Sequence, residues 1–433
     1  MANVGNLTAF LQDIANSIRN KTGKSSNIFP EDFDSEIMNI PTSGESSFII
    51  TTGMRFSNST FTSIPNLDAK NITDMSEMFN NCGNLSNISN ISNTSNVTNM
   101  DRTFYNCTNL IDISGLNTSN VISMNNTFYR CLKLNTVDNL DTSNVTNMDS
   151  TFSWCSNLTT INNLNTNKVI NMNSTFIGCH NLVNIPNFNT SNVKDMSYMF
   201  NGCFNLTNSP NLNTSKVENM KSMLGHCYNL VNVSNVNTSN VKDMSHLFDS
   251  CNNLTSIPNL DMSNVTNTYS MFVYCNNLTT IPTINTSNAI NMSYMFQGCF
   301  NLSYIPAINT SKATDVTGMF LQCTNITVVP GFDLSSTNST ADMFRECYNL
   351  AIIPTFNTSG ITDMDCMFYM CDNLSNDSIQ NVVNMCINSN INPFFGHPNL
   401  NNSNEYSPLY MTKFNSSYYS NRLSDLTNAG WTY

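Results

Sequence analysis

The sequence predicts an α/β repeat: a curved solenoid of about 13 coils of 24 residues, each a short strand plus a short helical segment, with a helical N-terminal module and a C-terminal cap. Three observations carry this expectation. Thirteen cysteines stand on one ruler, stepping by 24 from Cys107 through Cys131 and Cys155 to Cys371, with a single step of 25 from Cys82 to Cys107. Apolar residues recur in fixed slots between the cysteines. The wording Asn/Asp-Thr-Ser-Asn recurs in a further slot. A fixed period over most of a chain marks stacked units, none of which can bury its apolar face alone.

With each cysteine as position 1, position 4 is Leu except at Ile326, position 3 is Asn except at Lys133, and position 22 is Phe except at Leu224. Position 7 is usually Ile or Val, position 15 usually Val, and position 18 mostly Met, with Thr268, Val316 and Thr340 as departures. The extra residue in the longer step is Ser92, just ahead of a turn. The stretch "NLTSIPNL" (253–260) alternates apolar and polar residues, so a short strand is expected there with Leu254 and Ile257 turned inward. Proline at position 8 would end it.

Asn-Thr-Ser-Asn is turn chemistry, with short side chains that bond the local backbone. Together with Asn at position 3 it is expected to form internal hydrogen-bond ladders. The stretch "MSYMFNGC" (196–203) sets Met196, Met199, Phe200 and Cys203 at i, i+3, i+4 and i+7, one face of a short helix. Coils paired strand on strand would repeat every ~4.8 Å.

The cysteine ladder reads as buried thiols filling a tight inner slot, a role that free Cys plays well. Neighbouring rungs come within disulfide range. Side chains of one ladder point the same way, however, and the number of rungs is odd. No CxxC occurs, and one Cys per 24 residues is not a zinc spacing. Cys366 and Cys386 lie off the ladder, and Cys366 is the candidate for an exposed thiol.

Residues 1–41 read as a helical anchoring or oligomerisation module. Leu7, Phe10, Leu11, Ile14 and Ile18 fall on one helical stripe that Gly23 stops. A second helix opens at Pro30 and carries Phe33, Ile37 and Ile40 on one face. Residues 42–47 read as a linker, and 48–374 as solenoid with an atypical first coil in which Phe61 takes the position-4 slot. Residues 375–433 read as a capping helix, with Ile379, Val382, Val383 and Cys386 on its stripe, followed by an Asn-rich tail.

Composition narrows the function. Charged residues are 11% and the formal net charge is −12, with no Lys/Arg cluster, so a nucleic-acid partner is not expected. No apolar run approaches the ~20 residues of a membrane span, and the start has no basic n-region of a signal peptide, so no membrane insertion and no classical export signal are expected. His180, His226, His246 and His397 form no HExxH and no His–carboxylate spacing, and no phosphate-loop or nucleophile-elbow glycine motif occurs. A non-enzymatic binding protein without metal or cofactor is expected.

Positions 23, 24 and 2 vary freely around the cysteine and are often aromatic. Tyr105, Tyr129, Trp154, Phe204, Tyr228, Tyr274, Phe300 and Tyr348 are therefore candidate ligand contacts, which would stack on sugars or grip a protein. Packing between coils is the alternative role for the same rings. Positions 5 and 6 carry mostly Thr, Ser, Asn and Val, an uncharged polar face.

The wording "NVTNM…MF…C.NLT" over roughly residues 58–374 resembles the BspA-like leucine-rich repeat family. That resemblance implies a leucine-rich-repeat-type solenoid used for adhesion or interaction at surfaces, with no shared catalytic residues. Residues 6–40 are similar to the short N-terminal module of tail and fibre proteins in phages of Gram-positive bacteria. Together the two imply a tail fibre or receptor-binding subunit in the virion tail. It would bind a bacterial surface glycan or protein receptor through the solenoid and other tail proteins through residues 1–41, with a homo-oligomer as a further expectation. A bacterial surface adhesin or interaction scaffold of the same repeat family, or a purely structural tail component, is the alternative.

Overall fold

The computed structural model describes residues 48–389 apart from 51–52, 65, 138–139 and 162–163. The expected N-terminal module, with Leu7, Phe10, Leu11, Ile14, Ile18, Phe33 and Ile37, lies outside the described residues, as do the linker and the Asn-rich tail. The chain divides into two compact units, residues 1–193 and 194–433, and both are built from the same 24-residue coil.

In the first unit, β1 (Phe48–Ile49), β2 (Leu67–Asp68) and β3 (Ile91–Ser92) pair in parallel in that order. The inserted Ser92 sits in β3, where its hydroxyl donates to the Leu67 carbonyl at 3.0 Å. A 3-10 turn, Thr94–Asn96, follows. Later coils touch through single-residue parallel bridges instead of strands. Ser123, Asn147 and Asn171 bridge in succession at position 17, and Thr136 pairs with Thr160 at position 6. The second unit does the same, with Asp195, Asn219, Asp243 and Asn267 at position 17.

The expected strand in each coil is therefore reduced to isolated bridges. Leu254 and Ile257 are both buried, but they lie three residues apart, where a strand would need an even spacing to turn both to one face. The chain instead turns at once, with the Leu254 amide donating to the Cys251 carbonyl at 3.0 Å.

The expected helical segment is also absent. Met196, Met199, Phe200 and Cys203 are all buried, as the spacing required, yet the backbone between them is a run of linked β-turns. The amides of Met196, Tyr198, Phe200 and Gly202 donate to Asn219, Lys221, Met223 and Gly225 of the next coil at 2.8–3.1 Å. The amides of Met199, Asn201 and Cys203 donate back three residues at 3.1–3.2 Å. An α-helix would leave its first four amides without a partner and turn the rest back on the segment itself. The turn run divides them, so that alternate amides link coil to coil.

Alternate turns of the run, such as Met196–Met199 and Phe200–Cys203, carry a positive φ at their third residue, as type II turns do. Positions 20 and 24 supply it, from Glu77 (φ 57°) and Asn81 (φ 61°) through Tyr198 (57°) and Gly202 (73°) to Cys366 (52°) and Met370 (61°). Most of these residues are not glycine, and each L residue in that region costs about 1–2 kcal/mol. The amide bonds to the neighbouring coil offset that cost.

The interior is a set of columns. The position-22 rings of Phe56, Phe79, Phe104, Phe128, Phe152 and Phe176 stack with centroids 5.5–5.6 Å apart. In the second unit Phe248, Phe272, Phe296, Phe320, Phe344 and Phe368 stack at 5.3–5.6 Å. Beside them runs the cysteine ladder, buried and unbridged. Within each unit the thiols donate to the position-22 carbonyl of the coil before, as from Cys131 to Phe104 at 3.2 Å and from Cys275 to Phe248 at 3.1 Å. Burial pushes the thiols far up, those of Cys227 and Cys299 to about 12. Cys366, expected to be exposed, is buried as well, and burial pushes its thiol up to about 11.

A third column takes the expected ladder of Asn-Thr-Ser-Asn inside the protein, which the sequence did not predict. The Thr of Asn-Thr-Ser-Asn, at position 12, is buried and bonds twice to the next coil. Thr142 Oγ1 donates to the Asn165 carbonyl at 2.9 Å and accepts from the Asn165 amide at 2.7 Å. The flanking residues form the expected ladders: Asn144 Nδ2 donates to the Ser119 carbonyl at 2.7 Å, and the Asn117 carboxamide accepts the Ser119 amide at 3.1 Å. At the far end of the second unit, α1 (Asn376–Ser389) buries Ile379, Val382 and Met385.

Candidate binding surface

Positions 1, 4, 7, 12, 15, 18 and 22 are spent on the interior, so any binding surface must come from the columns between them. The aromatic candidates do not form one stripe. They fall into three columns, and several lie against their neighbours. Tyr105 and Tyr129, at position 23, stack at 4.6 Å, with the Arg102 guanidinium 4.6 Å from the Tyr105 centroid. Phe204 and Tyr228, at position 2, stack at 4.9 Å. Trp154 and Tyr274 stand at position 24, and their rings lie over Gly178 and Gly298 of the following coil. Phe300 and Tyr348 share position 2 with Tyr228. Trp154, Tyr228, Tyr274, Phe300 and Tyr348 all keep roughly two-fifths of their surface open, so packing between coils and access to solvent coexist in the same rings.

The sequence reading overlooked the face made by positions 14 and 16. In the first unit Asn96, Asn120, Asn144 and Lys168 form one wall and Thr98, Ile122 and Thr146 the other, around a shallow depression of about 510 Å³. Ile122 is half exposed, as are its position-16 counterparts Ile170 and Ile290. The signal was present in the sequence, since position 16 varies among Thr, Ile, Lys, Glu and Asn beside the mostly valine position 15. Position 6, expected to be polar, turns apolar late in the second unit, where Tyr304, Val328 and Ile352 are exposed.

One His–carboxylate pair exists where none was expected. His246 Nδ1 lies 2.9 Å from Asp249 Oδ2, brought together across a β-turn. Ser250 Oγ donates to the other oxygen of Asp249 at 2.7 Å. Nucleophilic catalysis needs the hydroxyl against the imidazole, with the carboxylate behind it. Here the carboxylate takes both partners, so the serine has no base and the cluster acts as a brace. Among the described residues, no group of three or more His, Cys, Asp or Glu is placed to hold a metal ion, and no helix is long and apolar enough to cross a membrane.

No protein of curated function matches the sequence. Among solved structures, the chain is similar to a leucine-rich cell surface protein from Faecalibacterium prausnitzii, with 20% identity over 72% of this chain and 85% of that one and a TM-score of 0.45. A leucine-rich repeat protein from Bacteroides ovatus matches at 16% identity over 72% and 84%, with a TM-score of 0.40. One from Eubacterium ventriosum matches at 16% over 75% and 90%, with a TM-score of 0.38. Residues 51–156, 135–232, 224–329 and 290–405 match the family described as Mycoplasma protein of unknown function, DUF285. These matches cover the repeats end to end, and the chain belongs to the DUF285 family.

Proposed function

We propose that this chain is a non-enzymatic binding scaffold that works outside the cell as a surface adhesin or interaction protein. The observation that carries the reading is the division of labour within the coil. The interior columns repeat almost without change, while the outward positions 2, 14, 16, 23 and 24 vary from coil to coil. A scaffold repeated for stability alone has no use for exposed Trp154, Tyr228 and Phe300, whereas aromatic side chains of this kind are favoured contacts at interfaces. The BspA-like wording of the repeats supports the same assignment. The partner is a glycan or protein of a cell surface, met through Tyr105, Tyr129, Trp154, Phe204, Tyr228, Tyr274, Phe300 and Tyr348 or through the position-14 and position-16 face.

The test is direct. The full chain is labelled and incubated with a panel of bacterial and animal cells, before and after enzymatic stripping of surface polysaccharide or protein. Saturable binding lost on one of the two treatments supports the reading and names the class of partner. Absence of binding to every cell type would overturn it.

The phage tail reading rests on the wording of residues 6–40. Incorporation into phage particles that is lost on deleting residues 1–41, with cell binding kept, would favour the tail-fibre assignment over the adhesin.

A further inference from the structure

A linear scan finds no basic cluster in this acidic chain, but the 24-residue fold assembles one. Lys194, Glu218 and Lys242 occupy position 16 of consecutive coils. Backbone bonds from the Glu218 amide to the Lys194 carbonyl and from the Lys242 amide to the Glu218 carbonyl, both 2.9 Å, fix them one above another. Lys216 stands beside them at position 14, next to Asn240. These five residues line a shallow depression of about 330 Å³, wholly within the second unit. That size falls at the lower end of ligand-sized clefts, ~300–1,000 Å³.

Three ammonium groups thus face one carboxylate. Glu218 is paired with Lys242 at 2.7 Å, and the hydrogen bond and charge of Lys242, with the charge of Lys194 behind them, hold its carboxyl below the usual range. Among the lining residues the excess is positive, on a chain whose net charge is −12. All three lysines are exposed, so an anion can approach them from solvent and compete with Glu218 for Lys242.

We propose that Lys194, Lys216 and Lys242, with Glu218 and Asn240, form a docking dish for an acidic glycan, a sugar polymer bearing carboxylate or phosphate groups. Charge selects the anion. Lysine presents a point charge without the planar fork by which arginine reads one oxyanion geometry, so either anionic group suits it. The amide of Asn240 and the carboxylate of Glu218 add the kind of polar groups that meet sugar hydroxyls. A nucleic-acid strand fits less well, because binding of unpaired bases relies on aromatic platforms. No aromatic ring lines this depression.

The inference rests on the reading of the chain as a binding scaffold and sharpens it. It is tested by calorimetric titration of the full chain with four probes: a hyaluronate decasaccharide, a glycerol-phosphate oligomer, neutral maltoheptaose and a single-stranded oligonucleotide. The triple variant Lys194→Gln, Lys216→Gln, Lys242→Gln is compared with the charge reversal Lys216→Glu and with a control, Lys133→Gln with Lys221→Gln. Thermal melts check that each variant folds.

At least one acidic sugar is expected to bind, to lose about tenfold or more in affinity in the triple variant and to weaken with added salt, while the control is unchanged. The hyaluronate and glycerol-phosphate arms tell the two anionic sources apart. The proposal is overturned if neither acidic sugar binds, if the triple variant binds as tightly as the parent, or if maltoheptaose or the oligonucleotide binds better. If the parent and the triple variant adhere equally to cells, the scaffold reading stands and the site fails. If neither adheres, the scaffold reading itself fails.

Discussion

The indole of Trp154 lies across Gly178 of the following coil, so that a Cβ built on that glycine would stand 2.7 Å from the ring. Both residues are left-handed, at φ 61° and 71°. Gly178→Ala therefore meets two penalties: the backbone cost of about 1–2 kcal/mol for an L residue, and the steric conflict with the indole. In a Trp154→Ala background only the first should remain. Urea denaturation of the parent, the two single variants and the double variant closes the cycle. A Gly178→Ala cost that is the same in both backgrounds would show that the ring does not depend on the bare glycine.

The paired left-handed sites give a second expectation, of opposite sign. Arg130 holds φ 57° at an exposed position 24. Arg130→Gly should leave stability unchanged or raise it by up to about 1 kcal/mol, since glycine enters this region without steric cost. Arg130→Val should lower it by about 1 kcal/mol or more, because a β-branched side chain tolerates positive φ worst. The difference between the two melting temperatures is the measurement. Equal values would mean that the turn run relaxes at this residue.

Thr118 Oγ1 donates to the Asp141 carbonyl and accepts from the Asp141 amide, both at 2.9 Å. Thr118→Val keeps the shape but strands the part-buried amide and carbonyl, so a loss of about 1 kcal/mol is expected. Thr118→Ser retains the hydroxyl and should lose less. Chemical denaturation of the two variants ranks them, and a valine variant as stable as the serine variant would remove the hydroxyl column from the account of what joins the coils.

The thiol ladder predicts alkaline sensitivity. The folded state holds these thiols protonated well above the ordinary value of 9.0, with Cys227 and Cys299 at about 12. The sign follows from linkage: below pH 9 neither state ionises and the contribution is intact. As pH rises from about 9 towards 12, only the unfolded chain releases protons, and stability falls by up to about 1.4 kcal/mol per pH unit for each thiol involved. Melting temperature followed from pH 7 to 11 should drop steeply above 9. Cys275→Ala and Cys299→Ala together should make that drop shallower at high pH, while removing two thiol–carbonyl bonds at neutral pH. Thiol-reactive dye should label the 14 described cysteines slowly in the native chain, and all 15 after denaturation.

The interior was legible in the sequence because burial recurs in fixed slots: Leu254, Met196, Phe200 and Cys203 are all inside, as the period requires. The backbone that carries them was not. A face spaced i, i+3, i+4 and i+7 suits a helix and a run of β-turns alike, and the left-handed positions that distinguish them hold Ser, Tyr, His and Trp more often than glycine. Those residues are held there by amide bonds to the next coil, which no local propensity records. The ladder of Asn-Thr-Ser-Asn was expected, but the burial of its threonine was not, because turn chemistry alone does not say which of its side chains faces inward. The lysine dish was invisible for a different reason. Lys194, Lys216 and Lys242 are separated by 22 and 26 residues, and only folding at the period of 24 sets them side by side.

The contact of the ladder thiols with a position-22 carbonyl one coil back makes length itself adjustable. If residues 131–154 were lost in frame, Cys155 would follow Arg130 and offer its thiol to the Phe104 carbonyl, which Cys131 now holds. Every column would close over the gap with a partner of the same kind. A gene that encodes near-identical copies in tandem invites unequal exchange between them, and here the product of such an exchange is a shorter or longer protein that still folds. The outward columns would be reshuffled in the same event, giving a lineage new surfaces by changing copy number alone.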